Sequence, residues 1–448
     1  MTEAIAGRPF WQLVFDKDGD IVDERQAGAL AEGIRAAGIT DLVMFSHGWN
    51  NGRTVAIELY RRWFTLLAEQ LAAERTVGFV GVFWPSQLWR DEPIPDVQPS
   101  SARTDGGGAA STARAGRPPA GPPTLDPGVL LDLKSMFDAG SEQLDAIADL
   151  LTEPAGRETL DELLVELRAF DAATADGAGG DLPDSGSFGM LEPGRDAEEI
   201  FGTFARGLAA TGISFDSVAG AGQAGLGDVA TRTLNGAKEL LRQLSYWKMK
   251  NRAGVVGRKG LGPAVTKLAA DHPDLRVHLV GHSFGGRLVA NALDGITDET
   301  PSPIRSITLL QAAFSRFAFT EKLPFANGGG ALAGRLARLD GPLAVCFSSH
   351  DSALGTLYPL ASLAARDAAA AGDDRLARYR AMGAVGAYLA DTLPVGAVDA
   401  TYPFRQHGIL NIDASDIVTE GDPPSGAHSD IFKPELARVV ATAARLTA

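Results

Sequence analysis

Leu275-Arg276-Val277-His278-Leu279-Val280-Gly281-His282-Ser283-Phe284-Gly285-Gly286-Arg287-Leu288-Val289 is the stretch from which the rest of the chain can be read. Apolar residues run up to Gly281. Gly281, Ser283 and Gly285 then spell Gly-x-Ser-x-Gly, and a helical pattern follows at once. Strand, sharp turn and helix form the setting in which this motif presents a nucleophilic serine. The reason is steric. A serine perched on a strained turn brings neighbouring backbone close, so the flanking positions must lack side chains. The helix N-terminus just beyond offers free N–H groups and a partial positive charge to an oxyanion. In a chain with 52 glycines the bare motif also arises by chance, so its setting has to carry the weight.

Upstream, the pattern alternates. Phe10–Phe15 reads as a strand, a turn follows at Asp16-Lys17-Asp18-Gly19-Asp20, and Ile21-Val22 returns beside the strand. That turn is rich in Asp, but the twelfth position of a calcium loop would be Ala27 rather than Glu, so a hairpin turn is expected. Arg25–Ala37 has helical spacing. Asp41–Phe45 is a buried strand that runs into Ser46-His47-Gly48-Trp49-Asn50-Asn51. Val55–Leu71 is an amphipathic helix, and Thr76–Trp84 is a further strand closed by Pro85-Ser86. Such alternation implies a parallel or mixed sheet with helices on its faces.

The pattern breaks between about Gln87 and Lys250. Val97–Pro127 is dominated by Ser, Gly, Ala, Pro and Arg, a composition that cannot bury a core and reads as a disordered linker. Helical stripes follow at Leu130–Phe137, Leu160–Phe170 and Ala197–Leu208, and again at Leu240–Lys250. Gly220-Ala221-Gly222-Gln223-Ala224-Gly225 matches Gly-x-Gly-x-x-Gly but follows no strand, so it is read as a small-residue segment and not as a dinucleotide site. Leu261–Ala270 is helical and leads into the nucleophile strand. After Ser283 the alternation resumes: helix Arg287–Leu293, strand Ile304–Leu310, helix Leu332–Leu339, strand Pro342–Ser348, helix Leu357–Ala371, strand His407–Ile412 and a closing helix Pro434–Leu446. The domains expected are residues 1–90 and 250–448 as the two parts of one α/β core, with 91–249 as an insertion.

A serine needs a base, and the base needs a carboxylate to hold its tautomer. In this setting the acid follows the serine and the histidine comes last. Three of the seven histidines lie beyond Ser283: His350, His407 and His428. His350 comes too early for an acid to precede it. His407 opens a strand, whereas catalytic groups gather outside the carboxyl ends of strands. His428, in the loop Pro423-Pro424-Ser425-Gly426-Ala427-His428, is the expected base. Asp351 directly follows the strand Pro342–Ser348 and is the expected acid, with Asp413, Asp416 and Asp430 as fallbacks. For the oxyanion hole the expected donors are the N–H groups of Phe284 and Trp49, with Gly48 as the alternative to Trp49. His47 is expected to brace that loop.

With these residues placed, the chain resembles the α/β-hydrolase superfamily. It is most similar to poorly characterised serine-esterase- and lipase-like families with His-Gly-aromatic-Asn, Trp-Pro-Ser and Gly-His-Ser-x-Gly segments. Here these are His47-Gly48-Trp49-Asn50, Trp84-Pro85-Ser86 and Gly281-His282-Ser283-Phe284-Gly285. The resemblance covers about residues 8–90 and 250–448. It implies an α/β-hydrolase fold, with a mostly parallel eight-stranded sheet and helices on both faces, and a Ser-His-Asp hydrolase that needs no cofactor or metal. The departure is the insertion. Roughly 160 residues stand where short connections are usual. It reads as a helical lid or cap, and it is also a candidate surface for a protein partner.

Composition is that of an ordinary globular protein, with 45% hydrophobic and 22% charged residues. A net charge of −15 speaks against nucleic acid as the main partner. The single cysteine, Cys346, sits in an apolar run and reads as an inert buried thiol. No stretch has the length of a membrane span, and the first residues lack a signal-peptide pattern. The expectation is a cytoplasmic serine hydrolase that cleaves a small-molecule or lipid-like carboxylic ester through an acyl-enzyme. The alternatives are a non-catalytic binding protein of the same fold and an acyltransferase using the same triad.

Overall fold

The computed structural model describes residues 3–89, 123–175, 191, 194–210, 226–296, 302–354, 380–421 and 426–447, with side chains left aside at 204–232. The Gly-rich segment at 220–225 and the helix expected at 357–371 lie outside these residues, as does the linker expected at 97–127 up to 122; its last residues are described, and Pro127 already opens a helix capped by Asp126. The described residues fall into two compact units. One holds those up to 87 and from 247 onward, and the other those between 88 and 246.

The first unit is built on one nine-stranded sheet, one strand more than expected, in the order β1-β2-β4-β3-β5-β6-β7-β9-β8. The strands are β1 (Glu3–Ile5), β2 (Arg8–Val14), β3 (Asp41–Ser46), β4 (Val77–Phe83), β5 (Arg276–His282), β6 (Ile304–Leu310), β7 (Leu343–Phe347), β8 (Asp391–Pro394) and β9 (Ile409–Asp413). Only β1 and β2 pair antiparallel, and every other pairing is parallel. Every residue of β3 and β4 is buried, as the continuous apolar runs require of strands covered on both faces.

The covering helices are α1 (Glu24–Ala37), α2 (Arg53–Ala68), α8 (Gly262–Asp271), α9 (Phe284–Asn291), α10 (Met382–Val385) and α11 (Pro434–Ala443). Asp23 caps α1 by accepting the Arg25 N–H at 3.0 Å, and Gly38 ends it at φ 61°. On one face α2 and α11 share a core with the sheet, where Phe64, Val439 and Val440 meet Phe45, Phe79, Val280 and Ile412. Successive strand residues point to opposite faces. Next to Val280, a side chain at Gly281 would run into the backbone of Gly285 and Gly286, so α9 covers the other face.

The described part of the second unit is helical: α3 (Pro127–Met136), α4 (Ser141–Leu150), α5 (Arg157–Ala173) and α6 (Ala197–Ala210). Helix α7 (Leu226–Val255) is much longer than the expected Leu240–Lys250 and carries the chain back into the first unit. The helix expected at Leu332–Leu339 shrinks to a single tight turn, Arg335–Arg338. Gly334 stands immediately before it at φ 76°, a conformation no α-helix continues through. No described helix is long and apolar enough to cross a membrane.

Candidate active site

The winding of the sheet reverses between β3 and β5. From β3 the chain steps outward to β4, which lies between β3 and β2, then crosses to β5 on the other side of β3 and proceeds through β6 to β7. Such a switch point opens a crevice at the carboxyl ends of the two strands. Ser46-His47 and His282-Ser283 stand there, on strands paired Ser46 to Gly281.

Ser283 has φ 55° and ψ −123°, a strained conformation for a residue with a side chain. It closes β5 and caps α9. The turn is tight enough to exclude any Cβ at Gly281 or Gly285. At Gly285 one would collide with the carbonyl oxygen of Ser46 and lie 2.5 Å from that of His47. The glycine spacing is thus a packing requirement between the elbow and the loop after β3.

The histidine and acid come from two further strand ends. Ser283 Oγ lies 2.9 Å from His428 Nε2, and His428 Nδ1 lies 2.7 Å from Asp351 Oδ2. An ionised carboxylate only accepts, so Nδ1 carries the proton and Nε2 is left to accept from the serine hydroxyl. The other oxygen of Asp351 accepts the Leu354 N–H at 3.0 Å. Asp351 is 1% exposed while Ser283 and His428 retain 6% and 5%, so the carboxylate is sealed in behind the imidazole. The two loops are tied together, with the Ala427 N–H donating to the His350 carbonyl at 3.0 Å.

The loop after β3 is held from behind by the segment after β4. The Trp84 indole stacks on His47 at 5.8 Å and donates to the His47 carbonyl at 3.1 Å. The Asn50 N–H donates to the Ser86 carbonyl at 3.0 Å, and the Ser86 hydroxyl stands 3.2 Å from both the N–H and the carbonyl of Asn51. The Tyr60 hydroxyl accepts the His47 N–H at 3.1 Å and donates to the Val82 carbonyl at 2.5 Å. The His47–Asn51 and Trp84–Ser86 segments, which sequence alone associates only by resemblance, therefore form one braced unit. It sets the Trp49 ring 6.3 Å from that of Phe284. Gly48 lies in the same loop, between His47 and Trp49.

The remaining candidates stand elsewhere. His350 and Asp416 are exposed, and His407 is exposed with Nδ1 3.2 Å from the Leu336 carbonyl. Asp413 accepts from the N–H and hydroxyl of Ser415, and Asp430 accepts from the N–H groups of Thr419 and Glu420. Both are turn fasteners. Cys346 is buried on β7, and burial pushes its thiol up to about 12, so it supplies no thiolate. Among the described residues no group of three or more His, Cys, Asp or Glu is placed to hold a metal ion.

Two residues escaped the sequence reading. His282 Nε2 lies 2.9 Å from the His428 carbonyl, and Gln311 Nε2 donates to the carbonyls of Ala427 and His428 at 2.7 and 3.0 Å. Together they hold the backbone that carries the base. Gln311 does so from φ 45°, just after β6.

A second Ser-His-Asp array exists at the opposite edge of the sheet. His278 Nδ1 lies 2.9 Å from Ser306 Oγ and Nε2 lies 3.2 Å from Asp41 Oδ1. All three are buried, Ser306 sits in regular strand, and Asp41 also pairs with Arg276. Burial lowers the His278 pKa against the opposing pull of Asp41, so the ring stays neutral. Burial alone would raise Asp41, but hydrogen bonds from His278 and Arg276 outweigh it and hold the carboxyl far below the usual range. With no elbow, crevice or access, this array fastens β3, β5 and β6 at their starts.

No protein-family model, curated protein or solved structure matches the chain.

Proposed function

We propose that the chain is a serine hydrolase of the α/β-hydrolase type that cleaves a carboxylic ester. One observation carries the reading. A serine strained at φ 55°, at a switch point of the sheet, has its hydroxyl 2.9 Å from His428 Nε2, and the far nitrogen of that ring is fixed by a buried carboxylate. In this reading Ser283 Oγ attacks the ester carbonyl while His428 Nε2 takes its proton. The negative charge that develops on the carbonyl oxygen is held by the N–H groups of Phe284 and Trp49. Collapse breaks the ester C–O bond, and His428 returns the proton to the departing alcohol. Water then attacks the acyl-serine with His428 as base, releasing the acid and restoring Ser283.

The test is intact mass after treatment with a fluorophosphonate, on the wild type and on Ser283→Ala. One adduct on the wild type and none on the variant is the expected result, and an ester panel of graded chain length then follows. A folded wild type that stays unmodified would overturn the hydrolase reading in favour of a binding protein of the same architecture. Product analysis with added acceptor alcohols separates hydrolysis from acyl transfer.

A further inference from the structure

The loop that leaves β6 begins at the nucleophile. The Ala313 N–H donates to the Ser283 carbonyl at 3.0 Å. Two residues on, Ser315 forms an isolated antiparallel bridge with Ala381, next to the hydrogen bond from the Met382 N–H to the Phe314 carbonyl at 2.9 Å. In an antiparallel bridge the residue after one partner stands opposite the residue before the other. Arg316 therefore faces Arg380. Like charges directly opposite destabilise a strand pair.

Among the described residues no carboxylate pairs with either arginine, and the Arg316 Nε is buried without a hydrogen-bond partner. The Arg316 guanidinium stands 5.7 Å over the Phe317 ring and 5.6 Å over that of Tyr388. Those two rings pack at 4.7 Å, and the Tyr388 N–H fixes the Arg316 carbonyl at 2.9 Å. The side chain is thus held on an aromatic platform. Burial, with the charge of Arg380 adding to it, works against the cationic form of Arg316, although the opposing Tyr388 gives some back.

We infer that Arg316 and Arg380 form an oxyanion-binding subsite, with Arg316 on the loop that leaves β6 and is hydrogen-bonded to Ser283, and that it receives a carboxylate or phosphate group carried by the substrate. A guanidinium pair offers the forked donors that match either group. The part concerning the substrate rests on the hydrolase reading above. The anion site itself does not.

The experiment is thermal unfolding of the full chain with glutarate or inorganic phosphate at millimolar concentration, against sodium chloride of equal ionic strength. It is run on the wild type, Ser283→Ala, Arg380→Gln and Arg316→Gln. Arg380 is exposed, so its variant keeps the fold even if Arg316→Gln does not. A rise in Tm that the wild type and Ser283→Ala share and Arg380→Gln loses supports the subsite, whether or not Ser283 takes a fluorophosphonate. Response to glutarate alone assigns a carboxylate, and response to phosphate alone assigns a phosphate. Equal responses in the wild type and Arg380→Gln, or none in either, overturn it even if Ser283 is labelled. For the substrate, matched 4-nitrophenyl esters ending in methyl or carboxylate are compared. The carboxylate ester is expected to gain about 10- to 150-fold in kcat/KM, the range for hydrogen bonds to a charged group. Arg380→Gln is expected to abolish that gain and leave the neutral ester unchanged. A wild type that favours the neutral ester overturns the substrate assignment.

Discussion

Replacing Gly285 with alanine tests whether the elbow and the oxyanion loop are set by direct contact. The added Cβ would lie 2.5 Å from the His47 carbonyl oxygen, 2.6 Å from the Ser46 carbonyl carbon, and closer still to the Ser46 oxygen. Real Cβ atoms essentially never come within 3.0 Å of a neighbour. The loop after β3 and the start of α9 must therefore part by about an ångström to clear the Ser46 oxygen, and the three nearest atoms are all backbone. Overpacking of this kind costs about 1–3 kcal/mol. Part is offset by the better helix propensity of alanine, worth about 1 kcal/mol at most. The effect on rate is larger. A displacement approaching 1 Å between nucleophile and oxyanion donors costs on the order of 10²-fold. We expect fluorophosphonate labelling and ester turnover to fall about 10- to 100-fold with a modest loss of Tm. Gly28→Ala is the control. It lies within α1 with nothing within 4 Å of a Cβ, and it should hold activity and gain about 0.5–1 kcal/mol of stability. A Gly285→Ala protein with wild-type rate and Tm would refute the argument that this contact sets the site.

Asp351→Asn should lower kcat by about 10³- to 10⁴-fold with little loss of stability. The Leu354 N–H claims the amide oxygen, so the amide NH₂ turns to His428 Nδ1 and drives the proton onto Nε2. Wild-type turnover in that variant would remove Asp351 from the mechanism. Gln311→Leu leaves the Ala427 carbonyl without its side-chain donor, and should cost about 1–3 kcal/mol in chemical denaturation and lower kcat at unchanged KM. A KM effect alone would place Gln311 in substrate binding. Stability should also fall as pH drops below about 6.5, because the unfolded His278 takes up a proton there that the folded, buried ring refuses. That contribution is fully present above the unfolded pKa, and urea titrations at pH 5 and 8 should show a smaller difference in His278→Gln.

The elements legible in the sequence were those whose pattern is local. Asp41–Phe45 and Thr76–Trp84 are largely apolar runs; β3 runs one residue past the first, to Ser46, and β4 lies within the second. Strands β1 and β8 were not foreseen. Glu3–Ile5 is three residues long and Asp391–Pro394 begins in Asp and ends in Pro, both poor strand formers, so only their neighbours in the sheet define them. Ser283, Asp351 and His428 could be named because chain order and strand ends constrain where such groups sit. Gln311 and His282 could not. Their partners are backbone carbonyls 116 and 146 residues away, which no side-chain pattern marks. The Ser306–His278–Asp41 array was invisible for the converse reason, since its members lie at three strand starts where no chemistry was sought.

The distance along the chain between Ser283 and its base has a consequence during synthesis. The strand and turn that position the serine are complete long before Gly426–Ser429 exists. At about 5–20 residues per second, some 7–30 s separate the emergence of Ser283 from that of His428, 145 residues later. Asp351 arrives midway with nothing yet to orient. A serine without its base is a poor nucleophile, so if Ser283 is the nucleophile proposed above, the growing polypeptide would pass the ribosome and its surroundings unarmed. In the proposed reading, reactivity would switch on only when β9 has paired with β7 and the last loop folds back. Dispersing the three groups over separate strand ends would thus act as a timer on the proposed chemistry.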